Sequence, residues 1–234
     1  GGIILPVGST EQHGPMGLIG TDTICAEAIA LRAAERAGAL VAPPLAYTPA
    51  PFNTGFPGTV SLSAETFAAM AREIIAGLIA QGFAGVYLLN GHGANLAPLT
   101  RVTDGLDTAR IRLRSWWDFE AVNALRRELY GDWEGMHATP SEVAITQATT
   151  RILPPGPAAD PPEALSPDYI AAHAGDRHGP PDEHRARFPD GRVGSHSALA
   201  RWQDGARLLE LAAGAVAEDY GSFLAAAQAG RERR

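Results

Sequence analysis

The sequence predicts an α/β fold: a three-layer α/β/α sandwich around a mostly parallel central sheet. Two observations carry that expectation. The runs Ile3-Ile4-Leu5-Pro6-Val7 and Val86-Tyr87-Leu88-Leu89 are continuously apolar rather than alternating, as strands buried on both faces are. Along the chain these runs alternate with segments of helical period, which is the pattern of a parallel sheet covered by helices. The 234 residues suit one sizeable core, so a single domain over 1–234 is expected.

Residues 2–8 read as the first strand. Residues 22–37 read as a helix, with Gly38 as its stop. Residues 40–43 form a short second strand, and 44–62, rich in Pro, Gly and aromatics, a long loop. Ser63 caps the next helix, whose stripe of Phe67, Met70, Ala71, Ile74, Ile75, Leu78 and Ile79 ends at Gly82. Residues 85–89 give the third strand, 90–95 a turn, and a helix runs on to about 109. A fourth strand covers 111–115, and helices fit 118–130 and 140–150. Nine prolines fall in 154–189, so the stretch at about 154–190 reads as an excursion without long regular structure, a lid or a subunit contact. A last helix covers about 203–228.

Composition narrows the function. Hydrophobic residues make up 45% and charged residues 19%, an ordinary globular balance. The formal charge of -7 argues against a nucleic-acid surface. No apolar run approaches the roughly 20 residues that span a membrane. The chain starts at Gly1 without a Met, and no leader pattern opens it. The single cysteine, Cys25, excludes an internal disulfide and reads as a small buried apolar residue. Together these give a cytoplasmic expectation.

The chemistry gathers at strand ends. In open parallel sheets, sites form beyond the carboxyl ends of the strands. Glu11 and His13 follow the first strand, and His92 follows the third. Positions i and i+2 of an extended chain point the same way, so Glu11 and His13 can face one centre. Asp22 opens a helix and can reach back. Each has a plainer reading: Glu11 as a solvated acid, Asp22 as a charge at a helix start, His92 as a turn residue. Glu142 fits either of two roles. Thr139-x-x-Glu142 is a capping box with Pro140 at the first helical position, yet a glutamate in a first turn can also face a cleft. Asn95 fits a cap or a ligand-orienting residue. Trp116 and Trp117 fit core or a pocket wall for a flat ring. His173, His178 and His184 read first as surface residues of the excursion, and otherwise as a contribution to a neighbouring subunit's site. No nucleophile elbow, dinucleotide fingerprint, P-loop, Cys-x-x-Cys or His-Glu-x-x-His occurs.

Four segments, in order, resemble the creatininase (creatinine amidohydrolase) family. They are Gly8-Ser9-Thr10-Glu11-Gln12-His13-Gly14-Pro15, Gly20-Thr21-Asp22, Asn90-Gly91-His92-Gly93-Ala94-Asn95, and 137–142 from His137 to Glu142. The resemblance covers about residues 3–150 and implies a hydrolase with two divalent metal ions, usually Zn²⁺, with Mn²⁺ or Fe²⁺ in some members. Carried over, Glu11 and His92 hold one ion, His13 and a second carboxylate the other, and Asp22 bridges. In creatininase itself the second carboxylate lies at the position of Ala94, so Glu142 is the proposed replacement. A metal-bridging hydroxide then attacks the carbonyl of a small cyclic amide or related C–N bond, with His137 protonating the leaving group. Met16 departs from the commoner His-Gly-Pro-His pattern. It inclines the reading toward the branch resembling 3-dehydro-scyllo-inosose hydrolase, which opens a diketo-inositol ring by C–C cleavage; a lactonase on a sugar-like compound is the related alternative. Ala94 keeps a third reading open, a metal-bound binding protein without turnover. The resemblance also implies a small-molecule substrate and a homo-oligomer, a hexamer.

Overall fold

The computed structural model describes residues 1–232. Strands β1 (Ile3–Val7), β2 (Leu40–Val41), β3 (Val86–Asn90) and β4 (Ile111–Ser115) form a sheet in the order β2-β1-β3-β4. Every pairing among them is parallel. Ile3 lies opposite both Leu40 and Val86, and the carboxyl ends Val7, Asn90 and Ser115 align. The chain leaves β1 toward one edge and returns to β3 on its other side. The β1/β3 crevice is therefore the switch point at which ligands bind in such sheets.

The helices are α1 (Thr21–Ala37), α2 (Ala64–Ala80), α3 (Leu96–Asp104), α4 (Glu120–Tyr130), α5 (Pro140–Thr149), α6 (Pro167–His173), α7 (Pro181–Arg187) and α8 (Trp202–Glu232). Alternate strand residues serve opposite layers. Ile4, Tyr87 and Leu89 pack with Ile29 of α1, Val122 of α4, Ile145 of α5 and Val216 of α8. Ile3, Leu5, Val86 and Leu88 pack with Phe67 and Ile75 of α2 and with Leu99 and Val102 of α3. Each such side chain contributes roughly 1.5–3 kcal/mol by leaving water. Burial on both faces is why the strands read as unbroken apolar runs, and the expected three-layer sandwich is the observed one.

Local chemistry sets the boundaries. Gly38 ends α1 in the left-handed region at φ 63°, a backbone conformation that strains residues with a side chain. Ser63 accepts the Thr66 N–H at the start of α2. The helix expected to reach 109 stops at Asp104, because Gly105 and a short 3₁₀ turn over Thr108–Arg110 lead into β4.

The excursion carries more structure than its prolines suggest. Both α6 and α7 begin with a proline, at the one helical position where a missing N–H costs nothing. Ser166 also caps α6 by accepting from Tyr169 N–H. Helix α7 packs on the 3₁₀ segment Pro51–Gly55, so the excursion returns to the carboxyl edge of the sheet. No helix among the described residues is long and apolar enough to cross a membrane.

Candidate metal centre

Two close approaches bring the first site residues together. A Cβ on Gly8 would lie 2.3 Å from the Thr23 backbone, and one on Gly91 would lie 2.5 Å from the Asp22 carbonyl oxygen. Glycine at both positions lets the start of α1 sink between the ends of β1 and β3, carrying Asp22 into the crevice. Asn95 does not cap α3. Its amide donates to the Gly8 carbonyl at 2.9 Å and to Asn90 Oδ1 at 3.1 Å, tying the two strand-end loops.

The hydrogen-bond partners assign the imidazole tautomers. His92 Nε2 lies 2.8 Å from the Pro49 carbonyl, which can only accept, so Nε2 carries the hydrogen. Its Nδ1 faces Glu11 Oε1 at 3.1 Å and Asp22 Oδ2 at 3.2 Å. His13 Nδ1 lies 3.3 Å from the Glu11 carbonyl, and its Nε2 faces Asp22 Oδ1 at 2.9 Å. In the neutral rings, both inward nitrogens are lone pairs aimed at carboxylates. Glu11, His13, Asp22 and His92 are buried, and Glu11 Oε1, His13 Nε2 and Asp22 Oδ2 have no hydrogen-bond partner. Lone pairs converging in a buried space require a proton or a metal cation between them.

Electrostatics agree. For His13, burial acts downward, but the Asp22, Glu142 and Glu11 carboxylates overcome it and carry the ring up to about 10. For His92, burial again acts downward, and Glu11 with Asp22 raises it well above its ordinary value. Burial alone would raise Asp22; the two imidazoles reverse this and hold it low. Burial raises Glu11, against His92. Glu142 is pushed up to about 7, mainly by burial. Protons on this cluster therefore occupy the positions that a cation would take.

Among the described residues, ligand atoms close enough to share an ion fall into three groups: Glu11–Asp22–His92, His13–Asp22–Glu142, and Glu11–His13–His137. Asp22 belongs to the first two and gives one oxygen toward each histidine. Glu142 forms the capping contact its sequence allowed and also lies in the His13–Asp22–Glu142 group. Its Oε2 accepts from Thr139 N at 3.0 Å and Thr139 Oγ1 at 2.7 Å. His137 reaches the site through a turn with Ala138 at φ 58°, a left-handed conformation that costs an alanine roughly 1–3 kcal/mol. Ser197 Oγ holds that turn by donating to the Ala138 carbonyl at 2.7 Å.

His137 Nε2 donates to the Gln12 carbonyl at 2.7 Å, and Nδ1 lies 3.7 Å from Glu11 Oε1. Burial first, then the nearby His13 cation, lower His137 well below the usual histidine value, so it stays neutral at pH 7. Asn53, which no motif singles out, donates to Glu11 Oε2 at 2.9 Å and fixes that carboxylate. Its 3₁₀ segment also supplies Phe52, whose ring stacks on His92.

A cavity of about 230 Å³ opens onto these groups. Asp22, His92, His137, Thr139 and Glu142 form part of its lining, and Trp117, Met136 and Ile170 wall it. The tryptophans divide: Trp117 lines the cavity, whereas Trp116 is fully buried core. Met16 does not line it, being buried against Val143 and Ala144. The excursion's histidines are not all surface residues. His178 and His184 are buried against Phe52, and His173 stacks on Tyr169. Ala174, Gly175 and Asp176 of the excursion also border the cavity, and nothing local in the sequence marked them.

A proton count predicts how the centre responds to metal. Loading must expel protons held by His13, at about 10, and Glu142, at about 7. Zn²⁺ titrated into the metal-stripped chain at pH 7 is expected to release protons, and its affinity to rise from pH 6 to 8. Calorimetry in buffers of different ionisation enthalpy reads the number released; proton-neutral binding would contradict the assignment.

Comparison with known proteins places this geometry. The family profile for creatininase, described as creatinine amidohydrolase, matches residues 1–220. A creatinine amidohydrolase of Pseudomonas putida is 32% identical over 167 residues, 62% of this chain and 63% of that protein. A 3-dehydro-scyllo-inosose hydrolase of Thermotoga maritima is 44% identical over 92 residues, 39% of this chain and 30% of that protein. A mycofactocin precursor peptide peptidase of Mycolicibacterium smegmatis is 39% identical over 104 residues, 42% of this chain and 41% of that protein. The chain thus covers less than two thirds of the length of each. Among solved structures, a creatininase superposes with a TM-score of 0.73 at 27% identity, covering 94% of this chain and 89% of that one. A creatininase variant of Zn-Zn type gives 0.74 at 26% identity, covering 93% and 88%.

Proposed function

The chain belongs to the creatininase family, and from that premise we propose that it is a metal-dependent hydrolase acting on the carbonyl of a small cyclic amide or related C–N bond. One observation carries the reading: the inward nitrogens of His13 and His92 face the carboxylates of Asp22 and Glu11 in a buried space. Such a donor set fits divalent cations. Glu11, Asp22 and His92 would hold one, and His13, Asp22 and Glu142 the other. The mixed nitrogen and oxygen donors suit Zn²⁺ or Mn²⁺. When bound, such ions polarise a carbonyl and make water nucleophilic near neutral pH.

The chain's own residues do the rest. Asn53 and Pro49 fix the orientation of Glu11 and His92. Trp117 offers a flat wall to a ring. His137 enters the reaction neutral; its Nδ1 would take the attacking water's proton and pass it to the leaving nitrogen as the C–N bond breaks, while its Nε2–H stays on the Gln12 carbonyl. The cavity's size suits a small molecule or the end of a chain rather than a folded partner.

The test is a substrate panel on chain stripped of metal and then reloaded with Zn²⁺ or Mn²⁺. It holds creatinine and other cyclic amides, a diketo-cyclitol, a sugar lactone and short peptides. Metal-dependent turnover of a cyclic amide is expected. Turnover of the cyclitol or the lactone alone would replace the C–N reading with ring opening, and binding without turnover of any compound would contradict an enzyme.

A further inference from the structure

The excursion does more than wall the cavity; it inserts a charge into it. Asp176 lies beyond α6 with φ 57°, a left-handed conformation that Asp and Asn adopt more readily than most residues. Its Oδ2 accepts from the Ala94 N–H at 2.9 Å and stands 3.6 Å from His92 Nδ1. The side chain is 12% exposed. Gly93 makes the room, since a Cβ there would lie 2.3 Å from Asp176 Oδ2. On the far side, His178 Nε2 stands 3.6 Å from Oδ1. The His178 ring packs on Phe52, and Phe52 stacks on His92.

The Ala94 N–H opens the helical run into α3, so the contact satisfies one free donor there. That explains the hydrogen bond but not the placement of the charge. Glu11 at 3.1 Å, Asp22 at 3.2 Å and Asp176 at 3.6 Å all converge on the same imidazole nitrogen. Three carboxylates around one nitrogen repel one another in a buried setting. A single proton on His92 offsets only part of that charge, whereas a divalent cation offsets twice as much. Ala94, beside the carboxylate, supplies no charge of its own.

Resting on the metal reading above, we propose that Asp176 is a carboxylate of the metal centre supplied by the excursion. The cation held by Glu11, Asp22 and His92 attracts it, so metal loading pins the excursion where it borders the cavity. Asp176 is then a positioning residue that couples metal occupancy to the shape of the substrate pocket.

Asp176→Asn tests this on the full chain, because asparagine keeps the left-handed backbone and the hydrogen-bond acceptor and removes only the charge. Two readouts are taken on metal-stripped protein: Zn²⁺ affinity against a chromophoric chelator, and Zn²⁺-induced protection of residues 163–187 from hydrogen exchange. The variant is expected to bind one of two Zn²⁺ ions at least tenfold more weakly and to lose most of the protection. Asp168→Asn, on the exposed side of α6, is expected to change neither. Wild-type affinity and protection in Asp176→Asn would overturn the proposal and leave the metal reading standing. A wild-type chain that binds no Zn²⁺ would remove both.

Discussion

Asp22→Ala is expected to bind neither ion tightly and to lose turnover by roughly a thousandfold or more, equivalent to about 4 kcal/mol of transition-state stabilisation. The size follows from where the carboxylate sits. One oxygen faces His13 Nε2 at 2.9 Å and the other faces His92 Nδ1 at 3.2 Å, so the single substitution disables two ligand groups that share it. The fold should survive. Asp22 is a first-turn residue of α1, whose core contacts come from Cys25, Ile29, Ala30 and Ala33. The sign of the accompanying titration is fixed too. Asp22 is the largest influence raising His13, whereas burial lowers it. Without Asp22 the ring should therefore fall from about 10 toward neutrality at pH 7. Histidine NMR reads that shift, and a circular dichroism melt checks the fold. Normal turnover or full metal content in this variant would sink the shared role of Asp22.

Much of this was legible in the sequence, for reasons that can be stated. Strands buried on both faces must be continuously apolar, and that pattern survives in the primary structure. The ligand types at the ends of β1 and β3 are legible because a parallel sheet delivers its strand ends to one edge. The capping box of α5 was equally plain, since Thr139, Pro140 and Glu142 are local to one turn. The sequence left Glu142 open between cap and ligand; the structure shows the cap and places the carboxylate in reach of His13 and Asp22.

What stayed hidden depends on long-range contact. Asn53 reaches Glu11 across a separation of 42 positions, and Asp176 reaches Ala94 across 82. No periodicity or local motif encodes either meeting. Prolines hid α6 and α7 because proline at a first helical position looks, in sequence, like proline in a loop. Met16 departs from the family pattern beside His13, and it packs against Val143 and Ala144 rather than lining the cavity, so any bearing it has on substrate is not through direct contact.

The second large effect is expected at Glu142. Glu142→Ala removes the carboxylate that, with Asp22, completes the His13 group. The Glu11–Asp22–His92 group keeps all its atoms. Metal content should fall from two ions toward one per chain, and turnover by roughly a hundredfold or more, about 2.7 kcal/mol. The same substitution removes the acceptor for Thr139 N and Thr139 Oγ1, and loss of such a cap costs about 1 kcal/mol of stability. Glu142→Gln separates the two effects. The amide oxygen can keep the cap while being a poor metal ligand, so its stability should approach wild type while its metal content follows Glu142→Ala. A wild-type metal count in both variants would return Glu142 to a purely structural role.

The central claim is that a buried centre joined by Asp22 holds two divalent ions in this chain. Elemental analysis of the wild-type chain, after loading with Zn²⁺ and removal of loosely bound metal, tests it most directly. Close to two ions per chain are expected. One ion would mean that Ala94 has cost the second site despite Glu142, and none would show that the inward histidine nitrogens are satisfied by protons alone.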